Sequence, residues 1–112
     1  MTMSPMGQRF NLTGWQGGTS GFRVAVESRG RVFEPLQRTL RHVQVVMPGR
    51  EGPTHCQVTT TFWTTCPELR SAEIGHWMER RGDKPWAKGK PPRYEAELIA
   101  INEDTVSIRI VQ

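Results

Sequence analysis

The sequence lacks any long hydrophobic run. No stretch of about 18 apolar residues occurs in the chain of 112 residues, which excludes a transmembrane helix, and we expect no membrane partner. Residues 1–8 carry neither a basic start nor an apolar core, so the sequence predicts no secretory signal and a cytoplasmic location. Cysteine is scarce, and Cys56 and Cys66 are expected to be reduced thiols in that compartment.

Motifs for metal binding and catalysis are also missing. Metal-binding residue types occur at His55, Cys56, Cys66 and His76, but no CxxC or HxxxH spacing organises them, and we predict no metal and no cofactor. No glycine-rich run leads into Lys followed by Ser or Thr, so no phosphate loop is expected. No nucleophile elbow is present, and we favour a protein that is not an enzyme. A small hydrolase or nuclease working through His42, His55 or His76 is the open alternative.

Positive charge is unevenly distributed along the chain. Its net charge is +4 and its isoelectric point is about 9.7. Residues 1–50 contain seven Arg and two Glu, a balance of +5, whereas residues 51–112 contain eight basic and nine acidic residues, a balance of −1. Within that second part, residues 80–93 contain six basic residues and one Asp. Arg outnumbers Lys twelve to three, and the planar guanidinium suits phosphate and guanine edges. An ordinary solvated surface is the alternative explanation.

The length fits one domain, preceded by a segment of different composition. Residues 1–21 begin polar and end in a run of Gly, Thr and Ser, which is typical of a flexible or partly ordered segment. A short strand or docking segment around Phe10, Leu12 and Trp15 is left open within it. We therefore predict a single barrel-like domain over residues 22–112.

Alternation of apolar and polar residues predicts several short strands. Residues 22–27 alternate with period two, and residues 32–36 resume an extended segment that Pro35 confines to a sheet edge. Residues 42–47 form a third strand candidate, and residues 56–63 alternate again.

One short helix and a final hairpin follow. Pro67 suits the first turn of a helix, and Ile74, Trp77 and Met78 recur at helical spacing before a stop at Gly82. Residues 94–101 and 106–110, joined by a polar turn, predict a C-terminal hairpin. The fold class is therefore mainly β (α+β), as a small open β-barrel or rolled antiparallel sheet with one short helix before a C-terminal hairpin.

Basic turns and one basic loop are the best candidates for a binding site. A rigid β scaffold can present such loops to phosphates and base edges. The candidate residues are Arg23, Arg29, Arg31, Arg38, Arg41, Arg50, Lys84, Trp86, Lys88 and Lys90. Two alternatives remain open: Trp86 packs as a lid on the helix, and the arginines pair with Glu27 and Glu34.

The C-terminal part carries a pattern of aromatic, glycine and strand positions. Its members are Ile74–Met78, Gly82, Trp86, Gly89, Tyr94–Leu98 and Val106–Ile110. This pattern resembles the closing section of the B-three DNA-binding pseudobarrel, a family known from plant transcription factors and restriction-endonuclease effector domains. Phe22–Leu36 is similar to the opening of that family. The resemblance implies a seven-stranded open barrel that grips the major groove with two arms, and Arg23, Arg29, Arg31 and Arg50 are the nearest candidates for contacts. It does not imply cleavage.

Together, charge and resemblance predict a non-enzymatic nucleic-acid-binding module, with DNA favoured over RNA. The alternative is a protein-interaction or assembly domain, which includes self-association. It would use exposed sheet edges, such as the Pro35 segment, together with Trp15 and Trp63.

Overall fold

The computed structural model describes residues 7–17, 19–65 and 67–111, and that part of the chain contains seven strands and two α-helices. None of the helices described there is long and apolar enough to cross a membrane. The strands are β1 (Arg9–Gln16), β2 (Ser20–Val24), β3 (His42–Val46), β4 (Thr54–Gln57), β5 (Glu68–Arg70), β6 (Arg93–Asn102) and β7 (Thr105–Val111). The α-helices are α1 (Val26–Ser28) and α2 (Ala72–Arg81). Helix α1 continues into a π-helical turn (Arg29–Phe33) and a 3₁₀ turn (Glu34–Leu36), and a further 3₁₀ helix spans Thr60–Trp63.

All seven strands belong to one sheet, in the order β4-β3-β7-β6-β1-β2-β5. The edge strands β4 and β5 approach each other, with Cα atoms within 8 Å, but the sheet does not close. The predicted mainly β, open fold is confirmed. The sheet is mixed, because β3 runs parallel to β7 while the other neighbouring strands are antiparallel.

The core follows from the alternation of the strands. Phe10 and Leu12 of β1 and Phe22 and Val24 of β2 turn inward and are almost fully buried, whereas Asn11 and Arg23, which lie between them, face outward. Strands β6 and β7 form the predicted C-terminal hairpin with the predicted alternation. One continuous hydrophobic core therefore lies between the inner face of the rolled sheet and α2.

Helix α2 closes one side of this core. Ile74, Trp77 and Met78 are buried, as their spacing predicts, and the Trp77 indole N–H donates to the carbonyl of Pro48 at 2.9 Å. Gly82 ends the helix in the left-handed region at φ 81°, which confirms the predicted stop.

The predicted helix start at Pro67 is wrong. Residues 68–70 instead pair with β2 as strand β5, and the helix begins after Ser71, whose hydroxyl accepts a hydrogen bond from the Glu73 amide. Ser is a strong N-cap because its side chain replaces a missing backbone acceptor. Pro67 therefore lies before a strand, and Glu68 is a strand residue.

The sheet begins earlier than the predicted domain boundary at residue 22. Strand β1 lies inside the sheet between β6 and β2, so residues 9–16 belong to the domain. The composition typical of a linker serves as a hairpin turn, in which the Gly17 amide donates to the carbonyl of Thr19 at 2.8 Å. The rest of the predicted flexible segment, residues 1–6 and Gly18, lies outside the described residues.

The predicted edge strand over residues 32–36 is also wrong. These residues form helical turns in which Val32 and Phe33 are buried. Pro35 occupies the start of the 3₁₀ turn, where its fixed φ fits. Apolar side chains at positions 32, 33 and 36 also match helical spacing. The helical form is favoured because it buries the Phe33 ring against the Phe10 ring, with ring centroids 5.4 Å apart.

The strand predicted over residues 56–63 ends at Gln57. The Val58 amide donates to the carbonyl of Arg41 at 2.8 Å, and the chain then turns into the 3₁₀ helix Thr60–Trp63. This turn buries Phe62 against Phe33, with ring centroids 5.5 Å apart. The tertiary contact outweighs the strand preference of the threonines.

Substitution of Gly21 should test the pairing of β2 with β5. A Cβ atom at Gly21 would lie 2.1 Å from the backbone oxygen of Leu69, so the strands must separate. We expect Gly21→Ala to lower the free energy of unfolding by about 3 kcal/mol or more, measured by urea denaturation. Gly30→Ala is the matched control, since its Cβ would meet only the flexible Glu34 carboxylate at 3.4 Å, and its effect should stay within about 1 kcal/mol. Equal losses in both variants would contradict this account.

Cys56 should be inert in the folded protein. Burial, together with the negative charge of Glu73, raises the pKa of the Cys56 thiol to about 12. Because alkylation requires the thiolate, a Cys66→Ser variant should react with iodoacetamide at about pH 8 roughly a thousandfold more slowly when folded than when unfolded in urea. Mass spectrometry of quenched samples measures the rate, and prompt alkylation of the folded variant would refute the prediction.

Candidate nucleic-acid interface

The ten predicted binding residues separate toward two opposite ends of the sheet. One end carries the β1–β2 turn, and the other carries the β6–β7 turn, because β1 and β6 run antiparallel. Four of the residues belong to segments at the β6–β7 end: Arg29, Arg31, Arg38 and Arg41. Five belong to segments at the β1–β2 end: Arg50, Lys84, Trp86, Lys88 and Lys90. Arg23 lies on the outer face of β2.

Three of these arginines form ion pairs, which reduce the electrostatic potential that they produce: Arg23 with Glu68, Arg31 with Glu27 and Arg50 with Glu73. Arg31 Nε donates to Glu27 at 2.8 Å, and this hydrogen bond, with one from the Ser28 hydroxyl, holds the pKa of Glu27 below its usual value. The alternative that arginines pair with Glu27 therefore applies to Arg31.

Arg29 has a structural role. Its guanidinium donates to the backbone oxygens of Phe62 at 3.2 Å and Thr64 at 3.3 Å, which fixes the chain between β4 and β5. Both bonds come from Nη1, so this nitrogen is occupied inside the protein.

The remaining two cations at the β6–β7 end, Arg38 and Arg41, are exposed. They share this end with exposed Glu34, Glu103 and Asp104, so its net charge is small. This end is not a concentrated cationic surface.

A different group of cations surrounds the outer face of β1. The outward side chains of this strand include Arg9, which pairs with Glu95, followed by Asn11, Thr13 and Trp15. Thr13 lies opposite Arg23 on β2 and opposite Arg93 on β6. We call this surface the β1 face; its members are Asn11, Thr13, Trp15, Arg23, Arg70 and Arg93.

Two shallow pockets follow β1 on either side. One, of about 240 Å³, lies between Asn11, Thr13 and Arg93. The other, of about 100 Å³, lies between Asn11, Thr13 and Arg23. Side chains that can donate and accept hydrogen bonds therefore lie in a row between two guanidinium groups.

A buried carboxylate holds two arginines of the β1 face. The side chain of Glu68 is only 1% exposed, and its two oxygens lie 3.4 Å from Arg23 Nε and 3.1 Å from Arg70 Nη2. The Arg70 guanidinium also lies over the Trp15 ring, 4.7 Å from its centroid. Both guanidinium groups remain about half exposed, so they are fixed in position and still accessible.

The basic loop of residues 83–92 packs beside this face. Lys84 Nζ donates to the Ser20 hydroxyl at 2.6 Å, and the Gly14 amide donates to the carbonyl of Pro92 at 2.8 Å. Trp86 lies so close to Gly14 that a Cβ there would be 3.3 Å from the indole, and it also packs against the core. Trp86 therefore covers the end of β1.

The start of the same loop is fixed by a polar cluster. The Asp83 carboxylate accepts hydrogen bonds from Arg81 Nε at 3.0 Å and from the Tyr94 hydroxyl at 2.9 Å. Burial, and next the hydrogen bond to Asp83, raise the pKa of Tyr94. Lys88 and Lys90, further along the loop, are exposed.

Sequence reasoning missed four members of the β1 face: Asn11, Thr13, Arg70 and Arg93. A signal for Asn11 and Thr13 was present, because they alternate with Phe10 and Leu12. No local pattern marks Arg70, since its place depends on pairing between distant strands.

The three histidines lie on separate elements, with His42 on β3, His55 on β4 and His76 on α2. Within residues 7–17, 19–65 and 67–111, no three His, Cys, Asp or Glu side chains are grouped to hold a metal ion.

Comparison with known proteins gives no relative. No family model matches the chain, and no curated protein or solved structure shows significant similarity to it. Functional inference therefore depends on the chemistry of the surfaces.

Removal of the Arg29 guanidinium should affect stability and leave binding at the β1 face unchanged. Arg29→Ala leaves the Phe62 and Thr64 carbonyls without these donors, and we expect a loss of about 1–3 kcal/mol in the free energy of unfolding. Thermal and urea denaturation measure it. Arg38→Ala, an exposed control, should change stability by less than about 0.5 kcal/mol. A similar small change in both variants would show that the Arg29 contacts do not stabilise the fold.

Proposed function

We propose that the protein is a non-enzymatic DNA-binding module that presents its β1 face to the duplex. One observation carries the proposal: Arg23, Arg70 and Arg93, from three different strands, surround a row of hydrogen-bonding side chains on β1. The carboxylate nearest to two of these arginines, Glu68, is buried below the surface and is not exposed to a ligand.

The residue types in this arrangement match those that read DNA. Arg makes paired hydrogen bonds to guanine or binds phosphates, and Asn makes paired bonds to adenine. Asn11 and Arg23 are therefore the candidates for base contacts, and Arg93 for a phosphate contact. The exposed Lys88 and Lys90 would add sequence-independent attraction.

The strand number supports contact with a major groove. The seven-stranded open sheet has the strand number that the resemblance to the B-three pseudobarrel implies. Strands β1 and β2 both lie inside this sheet, so the duplex would meet the outer face of the sheet.

Acidic side chains limit the extent of the face. Glu95 lies opposite Asn11, but it is paired with Arg9 at 2.9 Å. Glu97 contacts both Arg9 and Arg109. The cationic part of the surface is therefore the part toward the β1–β2 turn.

A protein-interaction role has less support. The Pro35 segment, which was expected to offer a sheet edge, forms a 3₁₀ turn. The actual edge strands β4 and β5 lie close to each other, which restricts the addition of another strand. Trp15 is stacked with Arg70 within the β1 face.

Loss of one arginine should separate this proposal from general electrostatics. We expect Arg93→Ala to weaken binding to a DNA duplex by about tenfold and to reduce the slope of log affinity against log salt by about one, because one phosphate contact is lost. Fluorescence anisotropy over a salt series from about 50 mM to about 200 mM measures both quantities.

Arg38→Ala is the matched control, since it removes the same charge at the β6–β7 end, and its affinity should remain within about twofold. Absence of binding to any duplex at about 50 mM salt would reject the proposal. Equal losses from Arg38→Ala and Arg93→Ala would reject the β1 face as the site.

A further inference from the structure

A cleft of about 520 Å³ opens at the β6–β7 end, between residues 37–41 and the segment that follows β4. Its apolar wall is made by Leu40, Val58 and Trp63. The volume lies within the range of about 300–1,000 Å³ that is typical of small-molecule sites. No residue of the β1 face lines it.

The walls of this cleft are held by contacts inside the protein. The Val58 amide donates to the carbonyl of Arg41 at 2.8 Å, which joins the two sides. The 3₁₀ helix that carries Trp63 is fixed by the hydrogen bonds from Arg29, and the Trp63 ring packs edge-on against buried Phe62 at 5.0 Å. The site is therefore largely formed before any ligand arrives.

The rim provides a single charge among neutral polar groups. Arg41 is the charged lining residue, and the remaining polar side chains of the lining are Gln37, Gln57, Thr59 and Thr60. Arg41 Nη1 donates to the carbonyl of Leu40 at 3.0 Å, which leaves further guanidinium donors for a ligand. One guanidinium balances one negative charge, and its planar fork matches a carboxylate. A phosphate monoester carries a charge of about −1.5 to −2 at neutral pH and would be only partly balanced.

We propose that this cleft binds a small, flat organic carboxylate, with the carboxylate on Arg41 and the ring against Leu40, Val58 and Trp63. The Gln and Thr side chains of the rim donate hydrogen bonds to polar substituents. This inference is independent of DNA binding by the β1 face, and it gives the chain a second ligand at the opposite end of the sheet.

Titration of the ¹⁵N-labelled full chain with 2-naphthoate, followed by NMR, tests the proposal. We expect saturable shifts in residues 37–41 and 57–63, including the side-chain amides of Gln37 and Gln57. Uncharged 2-naphthamide has the same ring and should bind about tenfold more weakly, because it lacks the charge that pairs with Arg41.

Variants assign the charge contact. Arg41→Gln should weaken naphthoate binding about tenfold, whereas Arg38→Gln, an exposed arginine that does not line the cleft, should stay within about twofold. Both positions are exposed, and unchanged thermal unfolding will show that each variant is folded.

Three results would overturn the proposal. They are the absence of saturable shifts up to about 10 mM naphthoate, equal affinity in the wild type and Arg41→Gln, and binding of AMP as tight as that of naphthoate. Naphthoate binding together with a failure to bind DNA would leave this inference standing and reject only the function proposed for the β1 face.

Discussion

The pairing of β1 with β6 holds the two parts of the sheet together. On one side lie β4, β3, β7 and β6, and on the other lie β2 and β5, so β1 is the bridge between them. Its inward residues Phe10 and Leu12 join the core, and Phe10 supports the buried Phe33 of the helical turns. The same strand positions its outward residues between Arg23 and Arg93. Core and candidate site thus depend on one set of backbone hydrogen bonds.

Sequence patterns correctly predicted the C-terminal hairpin and the end of α2, because each depends on residues that are close together in the chain. In the last hairpin, residues 94–98 and 106–110 alternate between buried and more exposed positions, and Gly82 supplies the left-handed residue that a helix end favours. By contrast, residues 9–16 were placed before the domain, with a short strand left open, and residues 32–36 were predicted as a strand although they form helical turns. The Gly, Ser and Thr residues after β1 are equally compatible with a linker and with a hairpin turn. The hairpin forms because β1 pairs with β6, whose residues lie about 80 positions further along the chain. At residues 32–36, apolar spacing fits both a strand and a helical turn, and burial of Phe33 decides.

The candidate site was only partly predictable for a similar reason. Clusters of arginine in the sequence do not show which carboxylate or carbonyl each guanidinium will meet after folding. Arg50 meets Glu73, and Arg29 meets carbonyl groups more than 30 residues away. Arg23 was recognised from its basic neighbourhood, whereas Arg70 and Arg93 join it only through strand register.

Glu68 has a consequence for any anion that reaches the β1 face. Free arginine side chains lose considerable rotamer entropy when they close on a ligand. Here the carboxylate of Glu68 and the ring of Trp15 have already restricted Arg70, and Glu68 restricts Arg23 as well. The same negative charge lowers the long-range attraction of both groups. The two arginines therefore attract anions less strongly at long range, but they lose less conformational entropy on binding. This favours a ligand whose acceptors match the fixed spacing of the two guanidinium groups.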